Sequence, residues 1–171
     1  VSVDLARAGI KPSMICYELL STVLDPAGVR QDHVIINRVV NEADEVTGAA
    51  ISGTKIGGPV EDRIVLLPDP MGATGSSLRE VVRHYREQAD GKPRCIICLN
   101  LIVTPEFLKR MTVDEPELRV YAFRVDRGLS PRDVLEKMPG EDWDRERGLD
   151  EHDYIVPGAG GLGEVLNNAL R

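Results

Sequence analysis

Nine consecutive residues in the middle of the chain could bind a phosphate group. They are Asp69, Pro70, Met71, Gly72, Ala73, Thr74, Gly75, Ser76 and Ser77, hereafter the cradle. Glycine lets a backbone approach an anion closely, and the three hydroxyl side chains can donate hydrogen bonds to it. Because a helical apolar pattern begins at Leu78, the cradle would also present the unpaired N–H groups of a helix start. Asp69 fits a phosphate badly and suits a sugar diol or a metal-bound water.

The residues before the cradle predict a strand that carries it to the edge of a sheet. Ile64, Val65, Leu66 and Leu67 form a continuous apolar run, which is typical of a parallel strand buried on both faces. The cradle lacks Gly-Lys-Ser/Thr, and an acid precedes its two glycines, so it is neither a Walker loop nor the dinucleotide fingerprint. On spacing alone, an ordinary strand-to-helix turn stays an alternative.

The cradle is similar to a known signature. The block from Asp69 to Ser76 resembles the phosphoribosyl-pyrophosphate signature of the type I phosphoribosyltransferases, and its Asp-Pro-Met start is the form found in uracil phosphoribosyltransferases. The resemblance implies transfer of phosphoribose from phosphoribosyl pyrophosphate to uracil, giving UMP and pyrophosphate, with Mg²⁺ bound through phosphoribosyl pyrophosphate. It also implies that residues 72–77 hold the 5′-phosphate and that Asp69, as the catalytic residue, binds the ribose hydroxyls.

Two arginines at the ends of other predicted strands could neutralise an anion. Arg7 follows a short alternating stretch and precedes Ala8-Gly9, while Arg38 ends an apolar run that begins at His33. On spacing alone, each could equally be a surface arginine. By resemblance, Arg7 matches an arginine of the pyrophosphate loop. Arg38 matches one at the start of a flexible β-arm, the flap, at about residues 39–60.

The chain ends in a glycine-rich motif at about residues 148–165, hereafter the hood. A predicted strand at 154–156 precedes four glycines, whose backbone groups could bind the polar edge of a small flat molecule. The motif resembles the uracil-binding hood of the family, which assigns base recognition to Tyr154, Ile155, Gly160, Gly161 and Leu162. It departs from the family at Gly161, where the family has Asp, and Glu164 could reach back to supply a carboxylate.

Composition excludes several other classes of protein. The 171 residues are 42% hydrophobic and 29% charged, as in an ordinary globular domain. With 21 basic against 28 acidic residues the net charge is −7, which argues against nucleic acid as a partner. No apolar run approaches the roughly 20 residues of a membrane span. Cys95 and Cys98 would face opposite sides of one strand, so they could not form a disulfide with each other. An odd count of three cysteines without a disulfide framework therefore indicates a cytoplasmic protein.

The order of elements predicts the fold. Strands alternate with helices, which indicates an α/β fold with a Rossmann-like parallel sheet, with residues 118–123 as the last core strand. The resemblance implies the type I phosphoribosyltransferase form of this fold, in one domain over residues 1–171. A polar segment at about 130–147 is predicted to be an insertion, and the family's N-terminal region has no counterpart before Val1.

The resemblance also implies partners. Small-molecule substrates, namely a nucleobase and phosphoribosyl pyrophosphate, are expected, together with a homodimer or higher homo-oligomer. The alternative function, which the glycine at 161 favours, is a non-catalytic regulatory domain that binds a nucleotide or phosphoribosyl pyrophosphate.

Overall fold

A computed structural model describes residues 1–40 and 46–167 of the chain. The strands are β1 (Ser2–Ala6), β2 (Gln31–Val40), β3 (Val46–Lys55), β4 (Ile64–Pro68), β5 (Met71–Gly72), β6 (Cys95–Val103) and β7 (Arg119–Val125). The helices are α1 (Ile10–Val23), α2 (Ser76–Glu87), α3 (Pro105–Asp114), α4 (Arg132–Leu135) and α5 (Leu162–Asn167). Within the described ranges, no helix is long and apolar enough to cross a membrane.

The strands form a single seven-stranded sheet in the order β3-β2-β1-β4-β6-β7. The short strand β5 continues past the end of β4 along the same side of β6. Neighbouring strands run parallel except β2 and β3, which form an antiparallel pair. The predicted α/β fold with a parallel sheet is confirmed. The carboxyl ends of β1, β4, β6 and β7 therefore meet at one edge, where parallel α/β sheets bind their ligands.

One face of the sheet is covered by α2 and α3. The predicted apolar face of α2, formed by Leu78, Val81, Val82 and Tyr85, is fully buried against the strands. Phe107 and Met111 of α3 join the same core. The Thr104 side chain caps α3 by accepting a hydrogen bond from the Phe107 N–H at 3.0 Å.

The other face is covered by α1 alone and is largely open beyond it. A serine pair anchors α1 over β1, with the Ser2 hydroxyl donating to the Ser13 carbonyl at 2.9 Å. The open face consists of Ile64, Leu66, Cys95, Ile97, Leu99, Leu101, Tyr121 and Phe123, which share one side of β4, β6 and β7. The prediction that β4 is buried on both faces is therefore wrong, because no helix among the described residues covers this side and Ile64 is 47% exposed.

The open face also corrects a smaller expectation. Residues 118–123 were expected to form a core strand, but β7 is an edge strand whose Phe123 is 89% exposed. The apolar residues of α1 also point largely outward, and Ser13 is its buried residue. Cys95 and Cys98 do lie on opposite faces, with Cys98 in the core and Cys95 on the open face, and both are free thiols.

The predicted flap corresponds to the outer part of a β2–β3 hairpin. β2 pairs with β1 as far as Ile35, and beyond a register shift at Ile35/Ile36 it pairs with β3 only. The buried Asp32 carboxylate fixes the end of the hairpin nearest the sheet. Its Oδ1 accepts a hydrogen bond from the Gly57 N–H at 2.9 Å, and its Oδ2 accepts one from the Tyr85 hydroxyl at 2.9 Å. Residues 41–45 of the predicted flap lie outside the described residues, and the mobility of the flap stays a prediction.

Candidate active site

The cradle lies at the carboxyl edge of the sheet, between β4 and the start of α2. Its first half is fastened to β6: the Asp69 N–H donates to the Leu99 carbonyl at 3.0 Å, and the Asn100 amide donates to the Asp69 carbonyl at 2.6 Å. Asp69 and Pro70 therefore hold a fixed position beside the strand end. Asn100 has this role through a contact 31 residues away along the chain, so the sequence did not single it out.

The second half of the cradle needs small residues because it packs closely against α3. A Cβ on Gly72 would lie 2.9 Å from side-chain atoms of both Phe107 and Val103. Gly75 caps α2 with a φ of 79°, a left-handed conformation that favours glycine. The Thr104 hydroxyl also donates to the Ala73 carbonyl at 2.7 Å. This packing determines the path of the loop into the helix.

The open side of the cradle presents hydrogen-bond donors. The hydroxyls of Thr74 and Ser76 lie 3.1 Å apart, and the first backbone N–H groups of α2 have no partner within the helix. Arg110 of α3 adds a cation to these donors, because its Nη1 donates to the Ser76 hydroxyl oxygen at 2.6 Å. The sequence did not single out this arginine. Together these groups can bind an anion at the positive end of the α2 dipole.

Asp69 is the carboxylate of the cradle. Its Oδ1 accepts a long hydrogen bond of 3.4 Å from the Met71 N–H. Burial raises the pKa of this carboxyl from its ordinary value of 3.8 to about 6, and the Met71 hydrogen bond only partly opposes the rise. A carboxylate that is still ionised at neutral pH and poorly satisfied by the protein is ready to accept hydrogen bonds from hydroxyl groups.

Arg7 lies in the loop after β1 and next to the end of β4. A Cβ on Gly9 in this loop would lie 3.0 Å from the Pro68 carbonyl oxygen, so the loop and the start of the cradle are in direct contact. Arg7 itself pairs with Glu164 of α5, with 3.0 Å between Nη2 and Oε1. For Arg38 the structure gives the backbone, paired with Ala49 in β3, while its side chain lies outside the described part.

The hood returns to this loop through Gly161 and Glu164. A Cβ on Gly161 would lie 2.6 Å from Oε2 of Glu164, so the glutamate carboxylate occupies the space that a side chain at 161 would need. A Cβ on Gly163 would lie 3.5 Å from the Cβ of Ala8. The Glu164 carboxylate therefore lies between Gly161 and Arg7, which is where the sequence suggested that it could reach.

The rest of the hood is held by backbone contacts rather than by a strand. The predicted strand at 154–156 is wrong: Ile155 forms one isolated bridge with Leu149, because glycine and proline follow directly. The Gly128 N–H donates to the Val156 carbonyl at 2.9 Å, and the Gly158 N–H donates to Oδ2 of the buried Asp126 at 2.8 Å. Tyr154 is half-exposed and Ile155 partly buried.

One further carboxylate supports the hood. Glu106, in the first turn of α3, accepts the Gly148 N–H at 3.0 Å at Oε1.

Residues 130–147, predicted to be an insertion, are held by a buried ion pair with the loop after β7. Arg127 Nη1 and Glu146 Oε1 lie 3.2 Å apart. Arg127 also donates to the carbonyls of Val134 and Lys137. These contacts fasten the segment to the loop that follows β7.

Known protein sequences are similar to much of this chain. The family model described as uracil phosphoribosyltransferase matches residues 29–146, which include the cradle and leave out Arg7 and the hood. A uracil phosphoribosyltransferase of Caldanaerobacter subterraneus is 30% identical over 112 residues, covering 66% of this chain and 42% of that protein. One of Dictyostelium discoideum is 28% identical over 142 residues, covering 81% of this chain and 56% of that protein.

Solved structures show the same fold. The AQ2163 protein from Aquifex aeolicus superposes with a TM-score of 0.63 at 26% identity, covering 96% of this chain and 62% of that one. The APRTase from Giardia lamblia, complexed with 9-deazaadenine, superposes with a TM-score of 0.51 at 19% identity, covering 72% of this chain and 67% of that one. This chain thus spans less than two thirds of the length of the relatives named above from Caldanaerobacter, Dictyostelium and Aquifex. With a family model that matches residues 29–146 and a fold of the same kind, the chain belongs to the uracil phosphoribosyltransferase family.

Proposed function

We propose that this chain transfers phosphoribose from phosphoribosyl pyrophosphate to uracil, giving UMP and pyrophosphate. The observation that carries the proposal is the cradle, where Asp69, two hydroxyls and the start of α2 lie together at the carboxyl edge of the sheet. Family membership and the uracil phosphoribosyltransferases among its relatives support the same reaction. Such a site can bind a sugar phosphate, with the phosphate at the start of α2 and the ribose hydroxyls at Asp69.

Each part of the site has one task in this reaction. The bond from C1 of the ribose to pyrophosphate breaks, C1 joins N1 of uracil, and the N1 proton is released. Residues 72–77 hold the 5′-phosphate, Asp69 accepts hydrogen bonds from the ribose hydroxyls, and Arg7 and Arg38 offset the charge of the departing pyrophosphate. Because the transition state carries positive charge on the ribose, positioning and electrostatic stabilisation by the protein are sufficient without a covalent intermediate.

The base is assigned to the hood. Tyr154, Ile155, Gly160, Gly161 and Leu162 are the residues proposed to contact it. Backbone N–H and C=O groups at the glycines suit the imide edge of uracil, which offers one donor and two acceptors. The buried contacts of Asp126 and Glu106 support this role, because they hold the hood backbone in place before a ligand arrives.

Mg²⁺ is proposed to enter with phosphoribosyl pyrophosphate. Among the described residues, no three His, Cys, Asp or Glu side chains are grouped so that they could hold a metal ion, and Asp69 is the carboxylate of the cradle. Mg²⁺ commonly binds through substrate phosphates and one or two carboxylates, so this arrangement fits a metal held mainly by the substrate. When bound, the ion supplies charge neutralisation at the pyrophosphate.

A turnover assay tests the proposal. The purified chain is mixed with phosphoribosyl pyrophosphate, Mg²⁺ and each common nucleobase in turn, and nucleotide formation is followed by chromatography. UMP should form with uracil, and Asp69→Asn should lower the rate. Formation of another nucleotide would correct the base. Binding of UMP or phosphoribosyl pyrophosphate in calorimetry without any turnover would instead favour the regulatory domain.

Assembly and location are proposals of the same kind. A homodimer follows from the family resemblance, and analytical ultracentrifugation of the chain over a range of concentrations tests it. A cytoplasmic location is supported by the three cysteines, Cys16, Cys95 and Cys98, which are all free thiols.

A further inference from the structure

Arg110 lies on α3 with its guanidinium directed at the cradle. Its Nη1 donates to the Ser76 hydroxyl oxygen at 2.6 Å, and its Cδ lies 3.6 Å from where a Cβ on Gly75 would stand. The residue is exposed, so the remaining N–H donors of the guanidinium are open to solvent or to a ligand. One hydroxyl uses only one of its five donors.

The charge of Arg110 is not balanced by a carboxylate. Within the described part of the chain, Arg110 forms no ion pair, whereas neighbouring Arg79 and Arg86 of α2 pair with Asp114 at 3.3 Å and Glu115 at 2.6 Å. The anion-binding end of α2 therefore has an uncompensated positive charge beside it. A hydrogen bond to the Ser76 hydroxyl could link the two helices without a charged donor, so the charge of Arg110 is available for an anionic ligand.

We propose that Arg110 is a binding residue for the 5′-phosphate and makes the site selective for 5′-phosphorylated ligands. This inference rests on the proposed function, since it assigns the cradle to a sugar phosphate. Ser76 holds the guanidinium at the mouth of the cradle, and the planar fork then donates to phosphate oxygens alongside the N–H groups of α2. The cradle thus recognises the phosphate with a formal charge as well as with helix N–H groups.

The test compares one ligand that carries the 5′-phosphate with one that does not. Titration calorimetry is run with UMP and with inorganic pyrophosphate on the wild type and on Arg110→Gln. The variant should bind UMP on the order of ten- to a hundred-fold more weakly, as expected when a hydrogen bond to a charged group is lost. Its affinity for pyrophosphate, which binds at Arg7, should not change.

Arg94→Gln is the matched control. Arg94 is an exposed arginine that precedes β6 at the opposite edge of the sheet. Its substitution therefore removes the same charge far from the cradle. Its UMP affinity should equal that of the wild type. Arg110→Lys keeps the charge without the planar fork and should lose UMP affinity by a smaller factor. If Arg110→Gln does not fold, the inference is tested by whether Arg110→Lys loses affinity for UMP and keeps its affinity for pyrophosphate.

Three results would overturn the inference. One is unchanged UMP affinity in Arg110→Gln, and another is an equal loss for UMP and pyrophosphate. The third is a similar loss in Arg94→Gln, which would reveal only a general effect of net charge. If the wild type binds neither UMP nor phosphoribosyl pyrophosphate, the proposed function itself fails, and the role of Arg110 fails with it.

Discussion

Removing the Glu164 carboxylate should impair catalysis more than it impairs folding. The carboxylate lies in the space beside Gly161 and pairs with Arg7 at 3.0 Å, with the two side chains 31% and 48% exposed. An ion pair this open to solvent contributes roughly 0.2–1 kcal/mol to stability. Glu164→Ala should therefore lower the free energy of unfolding by less than about 1 kcal/mol.

The effect on turnover should be larger because Glu164 fills the space beside Gly161, where the resemblance to the family implies a carboxylate. A hydrogen bond to a charged group is worth about 1.5–3 kcal/mol. If that contact acts mainly in the transition state, kcat for UMP formation should fall ten- to a hundred-fold in Glu164→Ala. KM for phosphoribosyl pyrophosphate should stay the same or fall, because Arg7 loses a competing anion.

Gly161→Asp separates the position of the carboxylate from its presence. In the wild-type background the new Cβ would meet Glu164 Oε2 at 2.6 Å, so Glu164 must move away and the exchange should bring little gain. In the Glu164→Ala background the space is free, and Gly161→Asp should recover most of the lost turnover. Stopped-time assays of UMP formation on the four proteins measure both effects.

Glu151→Ala serves as the control for this series. Glu151 is a carboxylate of the hood whose side chain is 87% exposed and faces His152 at the surface. It should leave turnover unchanged. The reasoning is refuted if Glu164→Ala turns over as fast as the wild type, or if Gly161→Asp raises the rate equally well with Glu164 present.

Further expectations concern the cradle, the flap and the insertion. Asp69→Asn should weaken UMP binding by about 1–3 kcal/mol, by calorimetry. The substitution should also stabilise the free protein at pH 7 by about 2–3 kcal/mol, because burial raises the pKa of the folded Asp69 carboxyl from 3.8 to about 6. The wild type should therefore lose stability as the pH rises from about 4 to about 6. Denaturant titrations should show no such loss in the variant. Hydrogen exchange between residues 39 and 59 should slow when phosphoribosyl pyrophosphate binds, and equal protection with and without ligand would rule out a closing flap. Arg127→Met should cost about 3–5 kcal/mol of unfolding free energy, because it leaves Glu146 buried without its partner, and a denaturation midpoint like that of the wild type would contradict this.

Sequence patterns were sufficient wherever the controlling contacts are local. The helical apolar pattern that begins at Leu78 predicted α2, whose buried face consists of Leu78, Val81, Val82 and Tyr85. This face depends on residues that lie close together in the sequence, so their spacing carries the information. The cradle was found in the same way, as a continuous block.

Patterns failed where a contact joins distant parts of the chain or where a layer is missing. Arg110 meets Ser76 across 34 residues and Arg7 meets Glu164 across 157, and neither pairing follows from local spacing. Ile64 was predicted to be buried because its strand is apolar throughout. Hydrophobicity shows what a face prefers, whereas its exposure depends on whether a helix packs there.

The open face also affects how the stability of this chain changes with temperature. The heat capacity of unfolding scales with the apolar surface that becomes newly hydrated, at about 12–15 cal/mol/K per residue, or roughly 2.1–2.6 kcal/mol/K for a chain of this length. Part of the apolar surface is already hydrated in the folded chain and adds nothing to that change, since Phe123 is 89% exposed, Tyr121 58%, and Leu101 and Ile64 47% each. The isolated chain should therefore fall below this range in calorimetry. Its stability curve should be flatter, with cold denaturation displaced to lower temperature.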